Sequence, residues 1–244
     1  MQAVVLAGGE GTRLAPYTRV LPKPLLPIGD RPILEIIVGQ LRDAGIGEIV
    51  LATGYLSGLI EAYFGDGSAF GADISYVREE TPLGTAGPLA TIDGLDTTFV
   101  LMNGDCFSDL DLRALLDSHE QSGATATIAS HIEQIEVDFG VLKLDGEGVQ
   151  AIDEKPRYVV DVSMGVYVFE PTVLELVEPG VYMDFPDLVT ALIERGDQVE
   201  AYRHSGSWVD VGRIHNLEAL AQSLEGTAVD ALAEHDAEPR RVTP

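Results

Sequence analysis

Three glycines in four positions, Gly8, Gly9 and Gly11, close the first apolar run of the chain, and Arg13 follows within the stretch LAGGEGTRL. Glycine loses more freedom on ordering than any other residue, so a loop built of it calls for a reason. A short buried strand (Ala3 to Leu6) running into a glycine-rich turn brings bare backbone N–H groups within reach of a phosphate. The same residues also serve in a plain tight turn. The spacing is neither that of a P-loop, which needs a Lys-Ser/Thr end, nor that of a dinucleotide fingerprint, which needs glycine where Leu14 stands. The second chemical feature is scarcity of cations. The chain has 15 basic residues against 40 acidic ones, a formal net charge of -25, and its lysines are Lys23, Lys143 and Lys155. An anionic substrate must find its countercharge among these few, and Lys23 stands between Pro22 and Pro24, a stiff extended setting for a point charge. The third feature is a pair of aspartates. Asp105 follows an apolar strand in LMNGDCFSDL, and Asp210 sits in SWVDVGRIHNLEAL. Taken alone, Asp105 reads first as a turn or helix-capping aspartate; a hard-cation site would need a second oxygen ligand beside it.

The elements that must position these groups follow from the patterning. Apolar runs alternate with amphipathic stretches, which predicts a mostly parallel sheet covered by helices. Strands are expected at Gln2–Ala7, Glu48–Thr53, Asp73–Val77 and Thr98–Met102, with helices at Pro32–Ala44, Leu56–Phe64, Thr85–Ile92 and Asp111–Gln121. From about Ala124 strands predominate, at Thr125–His131, Gly140–Leu144, Val149–Asp153 and Ser163–Phe169, before helices at Phe185–Arg195 and Arg213–Leu224. The fold class is therefore α/β, a doubly wound, Rossmann-like sheet with ligands at the carboxyl ends of its strands. Residues 1–225 form the expected domain, with 1–123 as one half and 124–225 as a second lobe on the same sheet; 226–244 reads as a flexible tail. At 244 residues, 45% of them hydrophobic, the chain can bury a large core. The acidity argues against binding a nucleic-acid polymer. No apolar run approaches the roughly 20 residues of a membrane span, the first residues read as strand rather than leader, and the single Cys106 suits the cytoplasm.

The whole stretch LAGGEGTRLAPYTRVLPKPLLPIGDRPILE resembles the signature of the sugar-nucleotide pyrophosphorylases, the sugar-1-phosphate nucleotidyltransferases, and stands nearest their mannose-1-phosphate guanylyltransferase-like members. The resemblance runs from about Met1 to Leu224. It implies transfer of an NMP unit from an NTP to a sugar or cyclitol 1-phosphate, with Mg²⁺ as cofactor and pyrophosphate as the second product. Leu6, Ala7, Gly8, Gly9, Gly11, Thr12, Arg13 and Lys23 would meet the nucleotide, with Gly84 and Thr85 of REETPLGTAGPL approaching the base. Arg13, Lys23, Asp105 and Asp210 would be the catalytic set, and Asp105, which also faces the nucleotide, would hold the metal with Asp210. Gly140 of DFGVLKLD, Glu154 and Lys155 of AIDEKP, and Met164 and Gly165 of VSMGVYVFEP would meet the sugar phosphate. Ser163 and Met164 depart from the commonest family pattern, which leaves the sugar open. A homodimer is compatible with the sequence.

The family's base reader lies five positions before the glycine of the Leu-Gly-Thr step, which places it at Glu79. A carboxylate only accepts hydrogen bonds, and guanine offers two adjacent donors, so GTP is the favoured nucleotide. A thymidylyl- or uridylyltransferase acting on a hexose 1-phosphate is the alternative. A non-catalytic nucleotide-sugar-binding relative and a cytidylyltransferase are the rivals of other kinds.

Overall fold

The computed structural model describes residues 1–79 and 81–211; the expected helix at 213–224 and the tail at 226–244 lie outside the described residues. The strands are β1 (Gln2–Ala7), β2 (Pro27–Ile28), β3 (Arg31–Pro32), β4 (Glu48–Thr53), β5 (Asp73–Arg78), β6 (Phe99–Asn103), β7 (Cys106–Ser108), β8 (Ala126–Glu136), β9 (Gly140–Asp145), β10 (Gly148–Glu154), β11 (Arg157–Phe169), β12 (Val199–His204) and β13 (Trp208–Asp210). The helices are α1 (Ile33–Asp43), α2 (Ser57–Phe64), α3 (Leu112–Ser122) and α4 (Phe185–Arg195). Seven strands form the central sheet in the order β12-β8-β11-β6-β1-β4-β5. All neighbours run parallel except around β11, which is antiparallel to both β6 and β8.

Central strands are apolar throughout because both sheet faces are covered. Along β1, Ala3, Val5 and Ala7 enter the core beneath α1, α2 and α3, whereas Val4 points to the opposite core beneath α4. Helix α1 buries Ile33, Leu34, Ile37, Val38 and Leu41 as one stripe. In α3, Asp111 caps the start by accepting from the backbone of Arg113 and Ala114 at 3.0 and 3.1 Å.

Three expectations change. The segment expected as helix Thr85–Ile92 is a short 3₁₀ turn at Gly87–Thr91; Gly87 weakens an α-helix there through its backbone entropy. Strands β8 and β11 run past their expected ends and pair with each other along Glu136–Arg157 to Ser130–Ser163. That outer stretch alternates without a buried face, so no apolar pattern announced it. The edge strand β12 and the three-residue pair β7–β13 were not expected at all; both form because a partner offers a ladder. The hairpin β9–β10 forms a sheet of its own and leaves Phe139, Leu142, Leu144 and Ile152 exposed.

Candidate active site

Every parallel strand in the first half ends at one place. The ends of β1, β4, β5 and β6 feed a cleft of about 950 Å³ whose walls include Gly8 and Gly9 after β1, Gly54 and Tyr55 after β4, Arg78 and Glu79 at the end of β5, and Asn103 to Asp105 at the end of β6. This is the crevice at the carboxyl ends of strands where α/β folds hold ligands. Gly104 lets the ends of β1 and β6 touch. Its N–H donates to the Leu6 carbonyl at 2.8 Å, and a Cβ there would stand 2.7 Å from the same oxygen.

Lys23 is the buried cation of the cleft, 8% exposed. Its Nζ pairs directly with Oδ2 of Asp105. The backbone that holds it differs from the expected extended run: Pro22 is extended, but Lys23–Leu25 is a 3₁₀ turn closed by Leu25 N–H to the Pro22 carbonyl at 2.9 Å. Asp210 is brought next to Asp105 along the backbone by the β7–β13 ladder, where it pairs with Cys106, and by Val211 N–H, which donates to the Asp105 carbonyl at 3.1 Å; unlike Asp105, it is not among the residues that line the cleft. Trp208 anchors this short strand by donating Nε1–H to the Met164 carbonyl at 3.2 Å. The Cys106 thiol is pushed well up, first by burial and then by the charges of Asp105 and Asp210. It stays a neutral core thiol.

Two carboxylates on neighbouring backbone segments fit a hard divalent cation by their chemistry. Among the described residues no third His, Cys, Asp or Glu joins them, so water or substrate oxygens would have to fill the remaining positions.

At the other end of the cleft stands Glu79. Its Oε2 accepts from Leu83 N–H at 3.2 Å, and a Cβ on Gly8 would come 3.0 Å from its Oε1. Burial pushes its carboxyl up, partly offset by the Leu83 hydrogen bond. Gly84 and Thr85 line the wall beside it. Gly84 has φ +82 and a Cβ there would lie 2.4 Å from the Met183 carbonyl, so no other residue fits.

The structure thus brings together Leu6, Ala7, Gly8, Gly9, Lys23, Glu79, Gly84, Thr85 and Asp105 in one cleft. Gly11, Thr12 and Arg13 lie just outside its walls; Gly11 is held by Thr18, whose Oγ1 donates to its carbonyl at 2.9 Å, and Arg13 is exposed. Gly140, Glu154 and Lys155 gather at the base of the β9–β10 hairpin, where Gly140 and Glu154 are cross-strand partners, but they do not line the cleft. Lys155 holds φ +45, a conformation that costs a non-glycine residue about 1–2 kcal/mol. Met164 is a correction: its side chain is 0% exposed inside the core and cannot touch a sugar. An apolar thioether on the inward face of β11 packs rather than binds. Gly165 sits against the Asn103 side chain at the β11 irregularity.

Sequence reasoning missed Arg78, Asn103, Tyr55, Tyr182 and Asp184, which all line the cleft. The first two lie one residue past the expected strands Asp73–Val77 and Thr98–Met102 and end the observed β5 and β6, so they could have been found there. Asp184 begins a helix, but its partner is Thr85, 99 residues away, and no local pattern encodes that. Thr85 donates its N–H and hydroxyl to Asp184 Oδ1 at 2.9 and 3.1 Å, and Tyr182 donates to Oδ2 at 2.7 Å. These bonds, led by that from Tyr182, hold the Asp184 carboxyl below its usual range.

Comparison with known proteins agrees with this geometry. Mannose-1-phosphate guanylyltransferase of Mycobacterium tuberculosis is 37% identical over 219 residues, covering 87% of this chain and 61% of that protein. A UTP–glucose-1-phosphate uridylyltransferase of Synechocystis is 34% identical over 235 residues, covering 88% of this chain and again 61% of the relative. The chain therefore spans about three fifths of the length of these relatives. Among solved structures, a Bacillus anthracis protein described as a glucose-1-phosphate thymidylyltransferase, with sucrose bound, superposes with a TM-score of 0.75 at 25% identity, covering 91% of this chain and 94% of that one. A family model described as Nucleotidyl transferase matches residues 2–226, and with the glycine loop, Lys23 and Asp105 meeting in one strand-end cleft, the chain belongs to the nucleotidyl transferase family.

Proposed function

We propose that the chain transfers an NMP unit from an NTP, GTP by preference, to a sugar or cyclitol 1-phosphate, yielding an NDP-sugar and pyrophosphate in the cytoplasm. The observation that carries this reading is the buried Lys23 paired with Asp105 at the centre of a cleft floored by the glycine loop. A phosphate oxygen of the sugar 1-phosphate attacks the α-phosphorus. The bond from that phosphorus to the β-bridging oxygen breaks, and pyrophosphate leaves with the electron pair. The attacking oxygen is already deprotonated at neutral pH, so the site needs positioning and countercharge rather than a base. The N–H groups around Gly8 and Gly9 face the triphosphate, Lys23 meets charge that grows as the bond breaks, and Arg13 adds a cation at the rim. Asp105 and Asp210 are the residues that would hold Mg²⁺, which supplies charge neutralisation for the phosphates. No helix among the described residues is long and apolar enough to cross a membrane.

Glu79 supports the choice of base. An ionised carboxylate accepts from N1–H and the 2-amino group of guanine. Against uracil or thymine it offers no donor to the carbonyls, a mismatch of about 1–3 kcal/mol, or about ten- to a hundredfold. The test is kcat/KM for GTP, UTP and dTTP, with product masses read over a panel of sugar 1-phosphates. Wild type should prefer GTP, and Glu79→Gln should move preference toward the pyrimidines. A wild type preferring UTP or dTTP overturns the choice of base, and one releasing no pyrophosphate with any pair overturns the reaction. The raised pKa of Glu79 adds a pH signature. Only the ionised form accepts both bonds, so GTP affinity should fall as pH drops through that raised pKa and plateau above it, and Glu79→Gln should flatten the profile. In folding the sign is opposite: the raised pKa favours the native state at low pH, an advantage lost as pH rises through it.

Lys155, held in a left-handed conformation beside Glu154, is proposed as the sugar-phosphate cation. Lys155→Ala should raise KM for the sugar phosphate about tenfold or more, the scale of one charge-assisted bond, with KM for the NTP nearly unchanged. Initial-rate kinetics varying each substrate check this, and equal shifts in both KM values refute it.

A further inference from the structure

Two chain segments a hundred residues apart are interlocked at the cleft wall. Met183 N–H donates to the Leu83 carbonyl at 2.9 Å, and the Met183 carbonyl accepts from Ala86 and Gly87 N–H at 2.9 and 3.1 Å. The side chains cross in the other direction. Asp184 Oδ1 accepts from both the N–H and the hydroxyl of Thr85, while Thr85 Oγ1 accepts from Phe185 N–H at 2.9 Å. The first amide of α4 is therefore satisfied by a residue from the other half of the chain. Leu83, at the near end of this clasp, also donates its N–H to Glu79 Oε2. Gly84, Thr85, Tyr182 and Asp184 all face the cleft, so the clasp forms part of the binding wall itself.

We propose that Asp184 is a positioning residue for base selection: it holds the Leu83–Gly87 loop, and through Leu83 the Glu79 carboxylate, in the shape that the base meets. This rests on the reading of the cleft as an NTP site. The hydrogen bonds of Asp184 go to Thr85 and Tyr182 rather than to Glu79, so Asp184 acts through the loop. Bonds to a carboxylate are about twice as strong as neutral ones, so Asp184 contributes more to the clasp than any one backbone contact. Without it, Leu83 N–H loses its fixed direction and Glu79 can turn to suit other bases. The expected signature is therefore lost discrimination, beyond weaker binding.

The experiment compares wild type with Asp184→Ala, Asp184→Asn and Thr85→Val. Calorimetry gives Kd for GTP and for UTP, and hydrogen exchange reads the amides of residues 84–87 in nucleotide-free protein. Asp184→Ala should raise Kd for GTP about tenfold, the scale of a bond to a charged group, shrink the GTP-over-UTP ratio, and speed exchange at residues 84–87. Asp184→Asn keeps an Oδ1 acceptor for Thr85 and should restore most of both. Thr85→Val leaves Asp184 in place and should fall between, which guards against a misfolded Asp184 variant. An unchanged GTP-over-UTP ratio in Asp184→Ala, unchanged exchange, or an Asn variant as damaged as the Ala variant overturns the proposal. Wild type that binds neither nucleotide overturns the reading of the cleft instead, and the exchange comparison then decides whether Asp184 holds the loop.

Discussion

Asp105→Asn should lower kcat by about a thousandfold or more, and Asp210→Asn by a similar factor, with circular dichroism showing both still folded. A carboxylate is a strong ligand for a hard cation and its amide a weak one. Loss of the charge neutralisation that a bound cation would supply removes several kcal/mol of transition-state stabilisation, at about 1.4 kcal/mol per tenfold in rate. The fold should survive because the backbone does the assembly: Asp210 is placed by its ladder with Cys106 and by the Val211–Asp105 backbone bond, neither of which involves a side chain. Asp105→Asn also keeps an oxygen to accept from Lys23, so the buried ammonium retains a hydrogen-bond partner after losing its countercharge. Turnover measured across Mg²⁺ concentration provides the check. If both variants keep near-wild-type turnover at limiting Mg²⁺, the metal assignment is wrong.

Lys23→Ala should depress kcat by about a hundred- to a thousandfold, the scale of removing one preorganised donor to developing charge, while KM for either substrate moves much less. Lys23 is 8% exposed in a turn flanked by two prolines, so its charge is held in place before the reaction begins. Its pairing with Asp105 fixes where that charge sits. Its contribution is therefore greatest where phosphate charge peaks, on the leaving pyrophosphate. Arginine should not rescue it, since a planar guanidinium does not fit a pocket shaped around a point charge. Single-turnover rates at saturating substrate separate this from binding. A loss that appears only in KM refutes the assignment.

Several of the residues that the structure gathers in the cleft were legible in the sequence because each is encoded locally. The glycine loop, Lys23 between prolines and Asp105 after an apolar strand are each encoded within a few positions, and the parallel sheet was legible because its strands are buried on both faces. What failed was whatever depends on a distant partner. Met164 reads as a pocket residue from its motif but is packed into the core, since only the sheet decides which way a strand residue points. Strands β7, β12 and β13 are too short or too polar to show in a pattern and exist because a neighbouring strand offers its hydrogen bonds. The stretch after Gly84 reads as helix in isolation, yet its Thr85 is spent on Asp184 and α4. A sequence states which groups are present and how the nearby backbone bends. Which of them meet across 82 residues, as Lys23 meets Asp105, or across 99, as Thr85 meets Asp184, is decided by the packing of the sheet and its helices.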